Sequence, residues 1–509
     1  MGIRSAIYSW LRSGAPKPRQ RGYQGAQVTR LTADWITSST SVDSEIKSSF
    51  RTLRNRARQL VRDNDFARQA LRSVQNNVIG QGIKMQPQIK MQRGGKLDET
   101  LNEQIHEKWE EWSRKQSCHT AGMLCFSDIE RLAIRSICES GEVFIRLVRQ
   151  SFGGGKTPFA LEILESDYLI DDEVPQPVNG NMVRMGVEVD PWGRPVAYHF
   201  YQSHPGDQFV GANRQNMRRI RVPAADVLHL FVTERPGQTR GVSWFSSAIQ
   251  RLHHLAGYEE AEVIRARASS SLMGFISSPD GELHGDEVYN GERVSNFEPG
   301  VFKYLQPGET VSVPSLDAPD GQFEPFMRSM LRAVAAGVGC SFESVSKDFT
   351  QTNYSSSRLS LLEERDTWRV LQKFMIENFH QPIYEAWLEM AVMSGELPIQ
   401  GYEISPDRFR KIQWMPRGWS WVDPQKEVEA YKTAVRCGFK TLSDVVSEQG
   451  GDLEDLLLQR QAELAKFDEL GIVLDTDPTQ VNDAGAQQVP PLVETPTPTE
   501  YDSEDEVIE

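Results

Sequence analysis

Between Ser243 and Met393 the hydrophobic period of this chain switches repeatedly, and the order of the switches constrains the fold more than any other feature. Phe245, Ile249, Leu252, Ala256, Val263 and Ile264 recur at helical spacing and predict a helix over 243–272, capped by Ser243. At 1.5 Å per residue that is a rod of roughly 45 Å. Residues 273–321 turn to Gly, Pro, Asp and Glu around short β-prone runs at Val301–Leu305 and Thr310–Val313. The helical period returns over 322–339, breaks in the polar stretch 340–355, and resumes from Ser356 to Met393, a rod close to ~57 Å if unbroken. Two rods flanking an insert that cannot pack along them do not suit a compact enzyme.

The rest of the chain is legible in the same way. Residues 1–43 are rich in Arg, Gln, Gly and Ser with no apolar period, which predicts a disordered basic arm. Ile46, Phe50, Leu53, Ala57, Leu60 and Val61 begin a helix that Asp63-Asn64-Asp65 interrupts, and Phe66, Leu71, Val74 and Val78 continue it. Helices follow at 101–115 and 127–139. From Gly141 the pattern becomes β-rich: Glu142–Arg149 and Thr157–Leu164 flank Gly153-Gly154-Gly155 as a hairpin, with further strands at 182–189, 195–201 and 226–232. Helices return at 424–436 and 442–469, and residues 471–509, rich in Pro, Thr and acid, predict a disordered acidic tail. The fold class is α+β.

With 39% hydrophobic residues in 509 the chain has enough apolar mass for real cores in two to four units. A net charge of −15 argues against a protein that coats nucleic acid over its whole surface, but the charge is uneven. Residues 1–73 hold 14 Lys and Arg against 5 Asp and Glu, whereas 471–509 hold 10 acids and no base. Cys118, Cys125, Cys138, Cys340 and Cys437 are too scattered for a disulfide framework and fit a reducing compartment. The start of the chain lacks a signal-peptide core, and no window of roughly 18 apolar residues predicts a membrane span.

Catalytic motifs fail on spacing. Gly153-Gly-Gly-Lys-Thr157 lacks the first glycine of a phosphate loop and is followed by a strand, so no helix N-terminus would face a phosphate. Gly241-Val-Ser-Trp-Phe245 lacks the last glycine of a nucleophile elbow. The acidic run Glu165, Asp167, Asp171, Asp172 and Glu173 reads as a solvated loop, and no His or Cys set has zinc spacing. No metal, cofactor or catalytic residue is predicted. Arg51, Arg54, Arg58 and Arg62 share one helix face, open to phosphate contact but more commonly a solvated or ion-paired surface.

Across about 45–470 the residues resemble the portal proteins of tailed bacteriophages, in the lambda-type branch. The resemblance is carried by Met330–Phe349 and Asn353-Tyr-Ser-Ser-Ser-Arg358. It is supported by Ser140-Gly-Glu-Val-Phe144, Leu161–Leu169, Val227-Leu-His-Leu230 with Arg240-Gly-Val-Ser243, Gly418–Pro424 and Gly450-Gly-Asp-Leu-Glu454. It implies an elongated subunit of a ring, usually of twelve copies, at one capsid vertex, through which double-stranded DNA enters during packaging and leaves at infection. Residues 44–242 would form the wing, 243–272 and 322–339 the stem helices, and 273–321 the clip. Residues 340–355 would form the tunnel loop, 356–404 the long wing helix and 405–470 the crown.

Clip residues Asp280, Glu282, Asp286 and Glu287 would meet the terminase large subunit and then the head-tail adaptor. In a ring each side chain is multiplied, so Arg328, Arg332, Lys347 and Asn353 are candidates for non-specific DNA contact. The tunnel loop proper would be Lys347, Asp348, Phe349, Thr350, Gln351, Thr352, Asn353 and Tyr354. Major capsid and scaffold proteins are further implied partners, a membrane is not, and the location is the virion, with host cytoplasm during assembly. The resemblance implies no enzyme. The alternatives are a non-conducting capsid scaffold protein, or a packaging nuclease or ATPase.

Overall fold

The computed structural model describes residues 26, 28–30, 32–91, 97–171, 180–207, 218–270, 275–277, 287–289, 292–294, 310–312, 323–350, 353–419, 424–449 and 451–472. The chain is mixed helix and sheet. Its first part holds helices α1 (Val42–Asp63) and α2 (Asp65–Val78), strand β1 (Lys84–Pro87), and helices α3 (Glu99–Trp112), α4 (Lys115–Cys118) and α5 (Phe126–Ser140). The β-rich part holds β2 (Glu142–Val148), β3 (Ala160–Leu164), β4 (Met182–Arg184), β5 (Val187–Val189), β6 (Pro195–Tyr201), β7 (Arg219–Pro223) and β8 (Val227–Phe231). Then come α6 (Ile249–Ser270), β9 (Phe275–Ser277), β10 (Glu287–Tyr289), β11 (Glu292–Val294), β12 (Thr310–Ser312), α7 (Phe323–Val338) and α8 (Phe342–Ser346). The last described part is α9 (Tyr354–Met375), a π-helical turn over Ile376–His380, α10 (Gln381–Met393), α11 (Pro406–Phe409), β13 (Ile412–Met415), α12 (Pro424–Arg436), α13 (Leu442–Glu448) and α14 (Leu453–Leu470).

Local chemistry accounts for several boundaries. Ser41 caps α1 by accepting the Ser44 N–H, with Asp43 and Glu45 against the positive helix start. Asn64 makes the break after α1 with one residue: its N–H closes on the Leu60 carbonyl at 2.7 Å and its side chain accepts the Ala67 N–H at 3.0 Å. The predicted rod from 356 to 393 widens to π geometry at Ile376–His380, one turn before Pro382. A proline has no N–H for the fourth carbonyl behind it and its ring would strike that carbonyl, so a wider turn relieves both problems. His380 ties the bulge down, with its ring nitrogens 2.9 Å from the Met375 carbonyl and 2.9 Å from Glu130.

Two sheets carry the β-rich part. One has the order β3-β2-β8, the other β4-β5-β6-β7, all neighbours antiparallel. Strand β2 is buried on both faces. Val143, Ile145 and Leu147 join the main core, whereas Phe144 packs with Val187, Tyr198, Phe200 and Val222 of the second sheet. Such two-sided burial is why the run reads as continuous apolar sequence. The main core centres on aromatics: Trp109 lies 5.1 Å edge-on from Trp387, and the Trp112 indole donates to the Phe159 carbonyl at 2.8 Å.

The structure departs from the sequence reading in several places. Helix α6 starts at Ile249 because Ser243 is buried and its hydroxyl turns the chain locally, accepting the Phe245 N–H at 3.2 Å. The 442–469 segment divides into α13 and α14 around a glycine pair, Gly450-Gly451. Strand β7 and the pairing of β1 with β13, where Lys84 faces Met415, were not predicted. Of the short runs in 273–321, Thr310–Ser312 is a strand paired with Phe275–Ser277, and Val301–Leu305 lies outside the described residues.

Gly141 and Gly241 let two backbones touch. Gly141 has φ +94°, and a Cβ there would sit 2.5 Å from the Val242 backbone; a Cβ on Gly241 would sit 2.1 Å from the Gly141 carbonyl oxygen. Gly141→Ala therefore has both a strained φ and no room, and should cost on the order of 1–3 kcal/mol or more. Thermal unfolding checks it: the midpoint should fall clearly, and an unchanged midpoint would show that the close approach is not needed.

Candidate nucleic-acid interface

Four of the family-like passages, separated in sequence, meet at one buried carboxylate. Glu142 opens β2, Ser166 lies just beyond β3, His229 is on β8, and Arg240 follows it. Glu142 accepts from Arg240 Nε at 2.8 Å, from the Gly241 N–H at 2.9 Å, from the Ser166 hydroxyl and from the His229 ring, whose Nε2 is 3.0 Å away. Arg240 is fully buried; it also donates to the Met185 carbonyl at 2.7 Å and stands over the rings of Phe50 and Phe144. Arg54 of α1 completes the node by donating to Ser166 at 2.8 Å. Burial alone would push the Glu142 carboxyl up, but Arg240 and His229 hold it well below the ordinary carboxylate range.

The arginine stripe of α1 is spent inside the chain. Arg51 pairs with Asp171, Arg54 with Asp167 at 2.8 Å, Arg58 with Asp167 at 2.6 Å and Glu165 at 3.3 Å, and Arg62 with Asp63 at 2.8 Å. The acidic run and the basic stripe are therefore two halves of one contact, which corrects the solvated-loop reading for Glu165, Asp167 and Asp171. Asp172 and Glu173 lie outside the described residues. Glu165, Asp167 and His204 come close enough to share a cation, but Arg58 already lies on both carboxylates.

The candidate DNA-contact residues lie on and beyond α7, which packs antiparallel to α6. Tyr258 stacks on Phe323, and Leu255, Met327 and Leu331 fill the middle. At the other end the Gly337 carbonyl accepts from Ser247 at 3.1 Å, and a Cβ on Gly337 would lie 2.9 Å from that hydroxyl. The chain leaves α7 through Gly339 at φ +80° and forms α8, capped by Ser341. Glu364 of α9 fixes this corner: it accepts the Ser341 N–H at 3.1 Å, the Ser341 hydroxyl at 3.2 Å and the Ser344 hydroxyl at 2.8 Å.

From this corner the loop projects. Lys347 ends α8 in the left-handed region at φ +59°, with its side chain exposed, and Phe349 is 60% exposed. Arg328 is not an open cation: one terminal nitrogen lies 2.8 Å from Glu324, 2.8 Å from Asp348 and 3.4 Å from the Thr350 hydroxyl. Asp348 in turn accepts the Thr350 N–H at 3.0 Å and hydroxyl at 2.6 Å; these bonds, with Arg328, hold its carboxyl below the usual range. Arg332 is exposed, its guanidinium 5.4 Å over the Phe342 ring. Asn353 is exposed and its carbonyl accepts the Ser357 N–H at the start of α9. Tyr354 opens that helix, and Gln351 and Thr352 lie outside the described residues. So do Asp280, Glu282 and Asp286, whereas Glu287 begins β10. The structure thus brings Arg328, Asp348 and Thr350 together and leaves Arg332 and Lys347 facing outward.

The family described as phage portal protein, lambda family, matches residues 28–372, more than half of the chain. This chain belongs to the lambda family of phage portal proteins. It is 32% identical over 461 residues to a probable portal protein of Halomonas phage phiHAP-1, covering 89% of this chain and 88% of that one. It is 20% identical over 470 residues to portal protein B of Escherichia phage lambda, covering 84% and 86%. A chain of the neck of an empty GTA particle superposes with a TM-score of 0.41 at 13% identity, covering 78% of this portal chain and 93% of that one.

Sequence reasoning missed Glu364 and the Glu142 node. The signal for the node was a charged residue opening an apolar strand, Glu142 before Val143-Phe144-Ile145, which in a doubly buried strand must find partners. Glu142→Gln leaves Arg240 buried without its anion and should cost about 3–5 kcal/mol in chemical denaturation. Because the folded Glu142 carboxyl and His229 imidazole both titrate below their unfolded values, the node's stabilisation is complete near neutrality. The His229 share is lost first, as the pH falls below the ordinary imidazole range, and the Glu142 share follows as the pH falls below the ordinary carboxylate range. Glu142→Gln should therefore flatten the loss of stability on acidification, and an unaltered acid limb would contradict the assignment.

Proposed function

We propose that this portal protein works as a ring of twelve identical subunits at one vertex of the virion, assembled in the host cytoplasm. Double-stranded DNA passes through its centre into the head during packaging and out at infection. In this reading 44–242 form the wing, α6 and α7 the stem, 273–321 the clip, 340–355 the tunnel loop, 356–404 the long wing helix and 405–470 the crown. The clip, with Asp280, Glu282, Asp286 and Glu287, docks the terminase large subunit and then the head-tail adaptor, while major capsid and scaffold proteins surround the ring. The chain itself is no catalyst: the energy for translocation comes from the motor it docks.

One observation carries the mechanism. Glu364 of α9 holds the start of α8, Arg328 of α7 holds the loop that follows it through Asp348, and Lys347 of that loop and Arg332 of α7 are both exposed. A conduit needs cations that touch phosphates without gripping them. Repeated around a ring, Arg332 and Lys347 would offer a sequence-blind, salt-screened attraction, while the acidic remainder keeps it weak enough for sliding. Arg328 serves a different purpose, shaping the loop through Asp348. No described helix is long and apolar enough to cross a membrane.

The test separates the two kinds of arginine. Arg332→Glu with Lys347→Glu should leave subunit assembly unchanged and lower DNA packaged in a purified packaging reaction by on the order of tenfold, with a weaker salt dependence. Arg328→Ala should leave Arg332 and Lys347 in place but speed amide exchange over 347–350. Packaging at the parental rate after the double reversal would remove Arg332 and Lys347 from the DNA path.

A further inference from the structure

A crevice of about 380 Å³ opens where the chain leaves β1 and where α11 turns into β13, lined by Lys90, Met91, Ile404, Ser405, Arg408 and Lys411 among others. Its charge has one sign. Arg408 donates to the Lys90 carbonyl through Nε at 3.0 Å and Nη2 at 2.7 Å and stands 5.0 Å over the Phe409 ring, so neutral groups alone fix its guanidinium. The Lys411 carbonyl accepts the Gln88 N–H at 3.0 Å, which ties the two lysine-bearing segments together, and both lysine side chains are exposed. Among the described residues none of the three cations forms an ion pair. The acids in the neighbouring sequence do not line the crevice: Asp407 pairs with Arg410 at 3.2 Å, Asp98 caps α3 by accepting the Leu101 N–H at 3.3 Å, and Glu403 stays outside the lining. The mouth is also apolar, with Met91 48% and Ile404 88% exposed. Three unmatched cations around two exposed aliphatic side chains fit an occupant that carries carboxylates and aliphatic groups together.

We propose that the segment Glu504–Glu509 of this same chain docks in the Lys90–Arg408–Lys411 crevice. The proposal goes beyond the portal reading and does not depend on it. Residues 473–509 lie outside the described residues, and they hold 10 acids and no Lys or Arg. Within them Glu504-Asp505-Glu506-Val507-Ile508-Glu509 sets four acids around an aliphatic pair. Its carboxylates would meet Lys90, Arg408 and Lys411, while Val507 and Ile508 would cover Met91 and Ile404. The reach is sufficient. Gln413 of β13, two residues from Lys411, donates to the Ser447 hydroxyl of α13 at 3.1 Å, and α14 then runs for 18 residues, about 27 Å. The 32 residues from Ile472 to Glu504 span up to roughly 110 Å when extended and average about 30 Å as a coil. The segment therefore returns from the end of α14 to β13 without strain, and its tether raises its local concentration over any free competitor. A DNA duplex also brings anions, but a phosphate backbone has nothing apolar to place on Met91 and Ile404.

Zero-length coupling tests this on the full chain without any substitution. A water-soluble carbodiimide joins a lysine amine to a carboxylate as an amide only where the two meet, and itself leaves as the urea. Mass spectrometry of the digest should find Lys90 or Lys411 joined to Glu504, Asp505, Glu506 or Glu509, in a yield that falls about fivefold at high salt. A fall of several fold is also expected in the Val507→Ser, Ile508→Ser protein, which keeps every charge. The Lys440–Glu448 pair, 2.6 Å apart, is the internal control for the chemistry. When heavy-nitrogen-labelled and unlabelled chains are mixed before coupling, each link should join two halves with the same label. Control links without any link from Lys90 or Lys411 to 504–509 overturn the proposal. So do links that mix the labels at random, which would make the occupant a second copy. A fluorescent DNA duplex that binds the parent about tenfold more tightly than the Lys90→Glu, Lys411→Glu protein, with no tail links in either, would overturn it as well and assign the crevice to DNA.

Discussion

A carboxylate sealed at the start of β2 sets the terms for the β-rich half of the molecule. Glu142 is 1% exposed and its partners come from three separated places: Ser166 beyond β3, His229 on β8, and Arg240 and Gly241 on the segment leading to α6. An ion pair of this kind is weak evidence for net stability, because desolvating both charges offsets most of their attraction. Its consequence is conditional: once Arg240 is buried, Glu142, the hairpin, β8 and the Gly141–Gly241 contact must all be in register, or a charge is left unpaired. The same node anchors α1 through Arg54, and so fixes how the helical face of basic residues lies on the acidic loop.

That geometry changes the meaning of the charge distribution. A net of −15 with a basic first 73 residues could suggest a basic surface open to DNA near the start of the chain. Four of those cations, Arg51, Arg54, Arg58 and Arg62, instead neutralise acids within the chain. The exposed cations that remain near the Met330–Phe349 passage are Arg332, midway along α7, and Lys347, beyond the end of the α6–α7 pair where Ser247 meets Gly337. In the proposed function these two cations would give weak phosphate contact, and the insert between α6 and α7 would dock a partner.

Much of this was legible in the sequence because it rests on period. The α6 and α7 faces, the interruption at Asn64, the hairpin around the glycines at 153–155 and the long helix to Met393 all follow from apolar spacing and local turn chemistry. What could not be read depends on pairing across distance. The β1–β13 ribbon joins residues more than three hundred positions apart through strands of four residues, too short to carry an alternation. The start of α6 was placed early because Ser243 looks like a cap, and only burial against Cys138 shows that its hydroxyl turns a tight corner first. Arg328 reads as an open cation until Asp348, twenty residues away, is seen to hold it. Four sequence passages that resemble the portal family gave the parts of the Glu142 node without revealing that they meet.

The central claim is that this subunit completes its packing around a DNA-sized hole. Single-particle imaging of the purified full chain tests it most directly. The account predicts closed rings with a central channel, and a map in which Arg332 and Lys347 line the narrowest part while the α6–α7 pair stands around the axis. Monomers that do not assemble, closed shells, or rings with Lys347 and Arg332 on their outer face would contradict it.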